Sequence, residues 1–117
     1  SRAAKLGKRA GRVGFDWPDA AGVRDKVREE LAEIDEVVAS DDSAERRSEE
    51  LGDLLFAVAN WGRHLGVDAE EALRAANRKF EARFASMEAL AAQRGLALDG
   101  LSAAEWDALW TEAKRRR

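Results

Sequence analysis

Apolar residues recur along this chain with the three- and four-residue spacing of helices that bury one side. The first regular pattern predicts a helix from about Asp19 to Ala39, whose apolar stripe consists of Val23, Val27, Leu31, Ile34 and Val38. After a polar turn, Ser43 is placed to cap a second helix from about Ala44 to Leu65. Gly66 follows at the position where a residue in the left-handed conformation commonly ends a helix.

Two capping boxes predict the remaining helices. The first, Asp68-Ala69-Glu70-Glu71, opens a third helix from about Ala69 to Gln93, which Gly95 ends. The expected core positions of that helix are Ala72, Ala76, Phe80, Phe84, Met87 and either Leu90 or Ala91. The second, Ser102-Ala103-Ala104-Glu105, opens a short last helix with Trp106, Leu109 and Trp110 on its apolar side. These elements predict an all-α protein, built as a helical bundle.

The segment before the first long helix contains two aromatic residues and the only proline. In Gly14-Phe15-Asp16-Trp17-Pro18, the proline suits the first position of a helix, with Asp16 or Trp17 near the cap. Phe15 and Trp17 are open to two interpretations. They either fasten the helix to the core or form an aromatic wall for a planar ligand.

The first thirteen residues are basic and contain glycines, which is typical of a short helical turn, a loosely held arm or a linker. We therefore predict an arm or linker over residues 1–13 and one folded domain over residues 14–117. The chain begins at Ser1 and its only methionine is Met87, so we expect it to be the C-terminal part of a longer protein.

Composition narrows the possible functions. A chain of 117 residues can bury one core, and the absence of cysteine excludes disulfides and thiolate metal sites. The pattern contains no apolar run long enough for a membrane span, and no signal peptide opens it. The formal charge of −3, with cations gathered at the ends, argues against nucleic-acid binding. We expect a soluble, cytoplasmic protein with no membrane and no nucleic-acid partner.

Two pairs of carboxylates carry the strongest chemical signal. Glu50 and Asp53 lie one helical turn apart, directly before an apolar run from Leu54 to Ala59. The run predicts a helix buried over most of its circumference, so Asp53 is expected inside the protein, where an ionised carboxylate must be paired or bind a metal. Glu30 and Glu33 have the same spacing on the first long helix. The short connection favours antiparallel packing, in which the four carboxylates converge.

Four carboxylates without cysteine select a hard cation, Mg²⁺ or Mn²⁺. His64 stands in the last turn of its helix, where we expect it to interact with the helix dipole rather than with a metal. Lys79 and Arg83, one turn apart on the third helix, are candidate phosphate ligands, so the pattern indicates phosphate chemistry. The chain has no Walker motif. Solvated helix faces are the alternative, since Glu33 and Glu36 share the same spacing.

The second helix has two faces that need cover. Asp53, Phe56 and Asn60 share one face, whereas the other consists of Leu51, Leu54, Leu55 and Val58. A single chain of three or four helices has too few other helices to bury both faces, which indicates that a partner subunit buries one of them.

Several motifs in order resemble the MazG family of nucleoside triphosphate pyrophosphohydrolases. Glu29-Glu30-Leu31-Ala32-Glu33 followed by Glu50-Leu51-Gly52-Asp53 is similar to the EExxE…ExxD signature of that family. The resemblance covers nearly the whole chain from Gly14 onward, and its other motifs are Gly14-Phe15-Asp16-Trp17-Pro18, Gly52-Asp53-Leu54-Leu55-Phe56-Ala57, Ala76-Asn77-Arg78-Lys79-Phe80 with Arg83-Phe84, and Trp110 with Lys114.

The resemblance implies an all-α NTP pyrophosphohydrolase fold, a helical bundle completed by dimerisation, and Mg²⁺-dependent hydrolysis of NTP or dNTP to the monophosphate and pyrophosphate. It implies that Glu30, Glu33, Glu50 and Asp53 are the catalytic and metal-binding residues, with Mn²⁺ as a possible substitute. The residues that it implies for substrate binding are Asn77, Lys79, Arg83 and Lys114, on the triphosphate or next to the metal ligands, and Trp110, Trp17 and Phe15, on base or sugar. The family's role is to remove abnormal or excess nucleotides.

Two other interpretations remain open at this point. Related helical hydrolases act on dUTP, dCTP or phosphoribosyl-ATP, and the first alternative keeps the site but takes one of these as the substrate. The second alternative is a non-catalytic helical dimerisation or protein-binding module, whose acids are surface charge. That module would show no dependence on Mg²⁺.

Overall fold

The helices begin and end close to the predicted positions. The computed structural model describes residues 1–40 and 43–115. Over these residues it has five α-helices, one 3₁₀ turn and no strand, which confirms the all-α prediction. The helices are α1 (Arg2–Gly11), α2 (Ala20–Ala39), α3 (Ala44–His64), α4 (Ala69–Gln93) and α5 (Ala103–Arg115), and the 3₁₀ turn is Leu98–Gly100.

Side-chain caps explain the helix starts. Ser43 Oγ accepts a hydrogen bond of 3.2 Å from the backbone N–H of Arg46, and Asp68 Oδ1 accepts one of 3.1 Å from Glu71. The second predicted capping box is complete, since Ser102 and Glu105 bond each other's backbone N–H. Gly66 and Gly95 have φ of 74° and 65°, a conformation that a residue with a Cβ rarely adopts, which confirms both as helix-ending residues.

The start of α2 differs from the prediction. Asp19, rather than Asp16 or Trp17, caps the helix, because its Oδ1 accepts a 2.9 Å hydrogen bond from the N–H of Gly22. The carboxylate of Asp16 is already bonded to residues of α3. Pro18 consequently lies just outside the helix and not in its first turn.

The chain divides into two units, residues 1–72 and 73–117. In the first unit, α2 and α1 both pack against α3. Its buried residues include Val23, Val37, Ala57, Ala59 and Asn60. In the second unit, the core lies between the later part of α4 and α5 and consists of Met87, Leu90, Ala91, Leu109 and Ala113.

Residues 2–11 form a helix of ten residues, where the sequence predicted a turn or a loose arm. The backbone of α1 approaches α3 closely at Gly7, since a Cβ there would overlap the side chain of Asn60. The Nδ2 of Asn60 also donates to the carbonyl of Ala3 at 3.3 Å. These contacts explain why α1 is held against α3. The domain boundary at residue 13 stays a prediction.

The line of α2 that faces α3 differs from the predicted stripe. Buried and half-buried positions follow a spacing of four and three residues, through Val23, Val27, Glu30, Ile34 and Val37. Leu31 and Val38 are 51% and 61% exposed, so their placement in the core was wrong. The prediction used apolar residues only. It placed the buried side of α2 wrongly because a glutamate, Glu30, occupies the middle of that side.

A corresponding line runs along α3. It consists of Glu50, Leu54, Ala57, Trp61 and His64, again with alternate spacings of four and three. This line and the contact with α1 leave other sides of α3 uncovered, and Leu55 and Phe56 are 60% and 41% exposed. The expectation that α3 is buried over most of its circumference is therefore wrong.

The predicted core of α4 is correct only in its later part. Phe84 is half-buried and packs on the core, but Ala72, Ala76 and Phe80 are exposed. The cause is helix length, because α5 has 13 residues against 25 in α4 and can cover about half of it. None of the helices in the described parts of the chain is long and apolar enough to cross a membrane.

Candidate metal centre

The matching lines of α2 and α3 bring two glutamates together. Glu30 and Glu50 are 5% and 6% exposed, each in the middle of its helix. Asp53 lies one turn after Glu50, and ligand oxygens of all three residues lie within 4.8 Å of one another. Carboxylate oxygens at this separation match the ligands that Mg²⁺ and Mn²⁺ prefer.

Asp53 differs from the prediction in its burial. It is exposed rather than enclosed in a buried helix, and the buried carboxylates are Glu30 and Glu50. The physical reason is its position, since Asp53 lies beside the α3 line that faces α2. The cluster is therefore open to solvent on the Asp53 side and closed on the other.

Glu33 is exposed but belongs to the same electrostatic group. A hydrogen bond that its protonated form makes with Glu50 and the charge of Glu30 raise the pKa of Glu33 above its usual value of 4.5. The carboxylates therefore repel one another when all are ionised. We call Glu30, Glu33, Glu50 and Asp53 the acidic cluster.

The two buried glutamates are only half satisfied. Glu30 Oε1 lies 2.9 Å from Lys26 Nζ, and Glu50 Oε1 lies 3.3 Å from Arg46 Nη2. The second oxygen of each, Oε2, is buried and accepts no hydrogen bond. Burying a carboxylate oxygen without a hydrogen-bond donor costs free energy. A cation bound by Glu30 and Glu50 would provide the missing partner for both Oε2 atoms. The residues present thus fit a divalent cation.

Sequence reasoning missed the two cations beside these glutamates. Lys26 and Arg46 each precede a buried glutamate by four residues, and Glu30 raises the pKa of Lys26 by accepting its hydrogen bond. The signal was available, because both helices carry a basic residue followed three and four positions later by two glutamates. Such pairs are frequent on exposed helices, and only the burial of the glutamates distinguishes these.

A second polar group fastens the Asp16 segment to the end of α3. Asp16 Oδ1 accepts hydrogen bonds of 2.8 Å from Arg63 Nη2 and from the N–H of Trp17, and His64 Nε2 lies 3.0 Å away. The hydrogen bonds from Arg63 and His64 hold the pKa of Asp16 well below its usual value. Arg63 Nε also donates to Asn60 at 3.1 Å. We call Asp16, Asn60, Arg63 and His64 the clamp.

The clamp was not predicted from the sequence. His64 is in the last turn of α3, as expected, but its structural partner is the carboxylate of Asp16. Asn60, which was expected on a face of the helix that a partner would bury, is already fully buried within this chain. No sequence signal indicates contacts between residues that lie about fifty positions apart.

The two aromatic residues of this segment lie in different surroundings. Trp17 is half-buried with its ring edge-on to His64, at 6.4 Å between centroids, whereas Phe15 is 81% exposed. Phe15, Asp16 and Trp17 line a small depression of about 150 Å³. Their contact with base or sugar stays a prediction.

The remaining predicted substrate residues lie in the second unit. Arg83 is stacked over the ring of Trp110, with 5.4 Å between the guanidinium carbon and the ring centroid. Asn77 and Lys79 on α4 and Lys114 on α5 are exposed. Beside Trp110 is a cavity of about 420 Å³, lined by Phe80, Phe84, Met87, Trp106, Asp107 and Trp110. The roles of these residues also stay predictions.

The region that matches known proteins includes the residues of the acidic cluster. Residues 20–86 match the model of the MazG nucleotide pyrophosphohydrolase domain, a region that contains all four members of the acidic cluster. The chain is 45% identical over 117 residues to the nucleoside triphosphate pyrophosphohydrolase of Escherichia coli K12, covering 98% of this chain and 44% of that protein.

Other relatives give a similar result. A nucleoside triphosphate pyrophosphohydrolase/pyrophosphatase MazG of Thermotoga maritima is 46% identical over 114 residues, which are 97% of this chain and 43% of that protein. The uncharacterized protein YabN of Bacillus subtilis is 43% identical over 65 residues, covering 56% of this chain and 13% of that protein. The chain thus spans less than half the length of these relatives. With a domain match over more than half of its residues and these identities, the chain belongs to the MazG nucleotide pyrophosphohydrolase family.

Proposed function

We propose that this chain is a Mg²⁺-dependent nucleoside triphosphate pyrophosphohydrolase, which hydrolyses NTP or dNTP to the monophosphate and pyrophosphate. The observation that carries the proposal is the pair of buried glutamates, Glu30 and Glu50, whose Oε2 atoms lack a donor beside Asp53. The names of the relatives from Escherichia coli and Thermotoga maritima support the substrate class.

In the proposed enzyme, Glu30, Glu33, Glu50 and Asp53 hold Mg²⁺, for which Mn²⁺ can substitute. When bound, the ion supplies positive charge for the phosphate oxygens and acidity for an attacking water. One of these carboxylates would accept the proton of that water, and Glu33 and Asp53 are the candidates because both are exposed to solvent. Water attack at the α-phosphorus releases pyrophosphate and leaves the monophosphate.

We propose that residues of the second unit also bind nucleotide. Lys79, Arg83 and Lys114 supply charge for the triphosphate, and Asn77 supplies an amide. Trp110, over whose ring the Arg83 guanidinium lies, is a proposed contact for base or sugar. The same role is proposed separately for Phe15 and Trp17 of the first unit.

The proposal includes a homodimer in the cytoplasm. Large apolar side chains remain exposed along α2 and α3, namely Leu31, Val38, Leu51, Leu55, Phe56 and Val58. Exposed apolar residues in this number on neighbouring helices are typical of an interface between subunits. The mass measured by light scattering is expected to be twice 12.9 kDa, and Leu55→Asp is expected to reduce it.

The test of the enzymatic proposal is pyrophosphate release from a panel of NTPs and dNTPs, with dUTP, dCTP and phosphoribosyl-ATP included. The wild type is compared with Glu50→Gln and Asp53→Asn, with and without Mg²⁺. Glu36→Gln is the matched control, since Glu36 is exposed on α2 and has the same three-residue spacing from Glu33. We expect Mg²⁺-dependent release that both site variants lose and the control retains.

The panel also separates the alternatives. Release confined to dUTP, dCTP or phosphoribosyl-ATP would keep the metal chemistry and narrow the substrate. No release from any nucleotide by a folded sample would overturn the enzymatic proposal in favour of a non-catalytic helical module.

A further inference from the structure

Lys26 and Arg46 occupy equivalent places in the two helices of the acidic cluster. Each precedes a buried glutamate by four residues and contacts only its Oε1, at 2.9 Å for Lys26 and 3.3 Å for Arg46. Each also lies beside the preceding, exposed glutamate, with Lys26 at 3.6 Å from Glu29 and Arg46 at 3.7 Å from Glu49. The arrangement repeats in both helices, so it is not confined to one chance contact.

Among the residues that the structure describes, these two cations are the ion-pair partners of the buried carboxylates of Glu30 and Glu50. The carboxylates are more than nine-tenths buried, whereas the side chains of Lys26 and Arg46 are 38% and 48% exposed. Long basic side chains of this kind can move their charge into water at little cost. The glutamates are therefore fixed and the cations are able to leave.

We propose that Lys26 and Arg46 are internal counter-cations of the acidic cluster, which stabilise it when no divalent cation is bound and compete with that cation for Glu30 and Glu50. A divalent ion held by Glu30 and Glu50 would offset the carboxylate charge and repel the two cations. By thermodynamic linkage, a group that favours the cluster without the ion lowers the affinity for the ion by the same factor. The inference rests on the metal site of the proposed function.

The inference predicts the sign of a measurable effect. If the two cations compete with the ion, removing either charge tightens divalent binding and lowers stability without the ion. If instead they served only to hold the glutamates in position, removing them would weaken binding, because the carboxylates would gain rotamer freedom that binding must remove.

The test uses the whole chain, Mn²⁺ alone and no nucleotide. Lys26→Met and Arg46→Met keep most of the apolar stem and remove the charge. Each is expected to lower the Kd for Mn²⁺ in calorimetric titration about fivefold, the size appropriate to a partly exposed pair. Each is also expected to lower the Tm measured in EDTA. Lys26→Arg keeps the charge and is expected to restore the wild-type Kd.

Arg28→Met is the matched control. Arg28 is an exposed cation on α2 that lies 3.9 Å from Asp25, away from the buried glutamates. Its removal is expected to leave the Kd for Mn²⁺ within about twofold of the wild type, because exposed charges at a distance are screened. If one methionine variant fails to fold, Lys26→Gln and Arg46→Gln test the same charge with a polar side chain.

The outcomes separate this inference from the proposal on which it rests. Wild-type binding of Mn²⁺ with unchanged or weaker binding by the charge-removed variants would overturn the inference and leave the metal site standing. A wild-type chain that takes up no Mn²⁺ would overturn both.

Discussion

The acidic cluster and the clamp are both groups of polar side chains in the first unit, but they are supplied with hydrogen-bond donors in opposite ways. In the clamp, a single oxygen, Asp16 Oδ1, accepts from Arg63 and from the backbone of Trp17, with His64 also in range. In the cluster, the Oε2 atoms of two buried glutamates accept nothing.

The difference distinguishes a structural group from the group that we propose binds a cation. A carboxylate with donors in excess has a lowered pKa and is satisfied by the fold, as Asp16 is. In the acidic cluster carboxylates exceed donors, and the pKa of Glu33 is raised by a hydrogen bond of its protonated form with Glu50 and by the charge of Glu30. Substitutions in the clamp should therefore cost stability, whereas substitutions in the cluster should cost ion binding and activity.

The largest expected effect is on activity at the cluster. Glu30→Gln is expected to reduce Mg²⁺-dependent pyrophosphate release at least about 100-fold, which corresponds to about 2.7 kcal/mol in the activation free energy. It should also abolish the rise in Tm that Mg²⁺ produces. Asp16→Asn should retain that rise in Tm, because Asp16 lies outside the acidic cluster. A Glu30→Gln protein that still responds to Mg²⁺ would contradict the assignment of this residue.

The next effect is on the stability of the clamp. Gly7→Ala places a Cβ against Asn60, whose side chain is fully buried and bonded to α1, so neither partner can move freely. We expect a loss of about 2 kcal/mol in the free energy of unfolding, measured by urea titration. Gly52→Ala is the control, because it is also within a helix but its Cβ meets nothing within 4 Å. That control should gain up to about 1 kcal/mol.

A smaller effect at the clamp should depend on pH. The pKa of Asp16 is lowered on folding, so its contribution is present above its usual value of 3.8 and is lost as the pH falls through the lower folded value. Asp16→Asn should therefore cost about 1 kcal/mol at neutral pH and progressively less below about pH 4. Urea titrations at pH 7 and at pH 3 measure this. An equal cost at both pH values would contradict the role of the Asp16 charge.

The smallest effect should have the opposite sign and occur at the cluster. The pKa of Glu33 is raised on folding. Its ionised form therefore destabilises the folded state, by an amount that grows as the pH rises from 4.5 through the folded value. In EDTA, Glu33→Gln should raise the Tm slightly at neutral pH and leave it unchanged below pH 4.5. A fall in Tm at neutral pH would show that Glu33 is stabilised by partners rather than repelled.

The helices were predictable because their signals are local. Ser43, Gly66 and the capping box at Ser102 act within four residues of themselves, and each was found where the sequence placed it. The convergence of Glu30 and Glu50 was also predicted, from their spacing to a second acid and from the short connection between the helices, and the structure brings them together. Their role in metal binding stays a prediction.

What could not be predicted depends on contacts between distant residues. The predicted stripe through Leu31 was chosen from apolar residues alone, whereas the side of α2 that packs against α3 has Glu30 at its centre. The burial expected for Asp53 belongs to Glu50, one turn away, because the helix presents a different side to its neighbour. Periodicity defines a helix face, and the partner helix decides which face is buried.

If the unpartnered oxygens of Glu30 and Glu50 bind a cation as proposed, the folding of this protein depends on the concentration of that ion. A ligand that binds only the folded chain adds RT ln(1 + [L]/Kd) to its stability, which is about 1.4 kcal/mol at ten times the Kd. When the free ion is scarce, the folded population should shrink and proteolysis should accelerate. The abundance of the protein, and not only its turnover, would then follow the concentration of divalent cation in the cell.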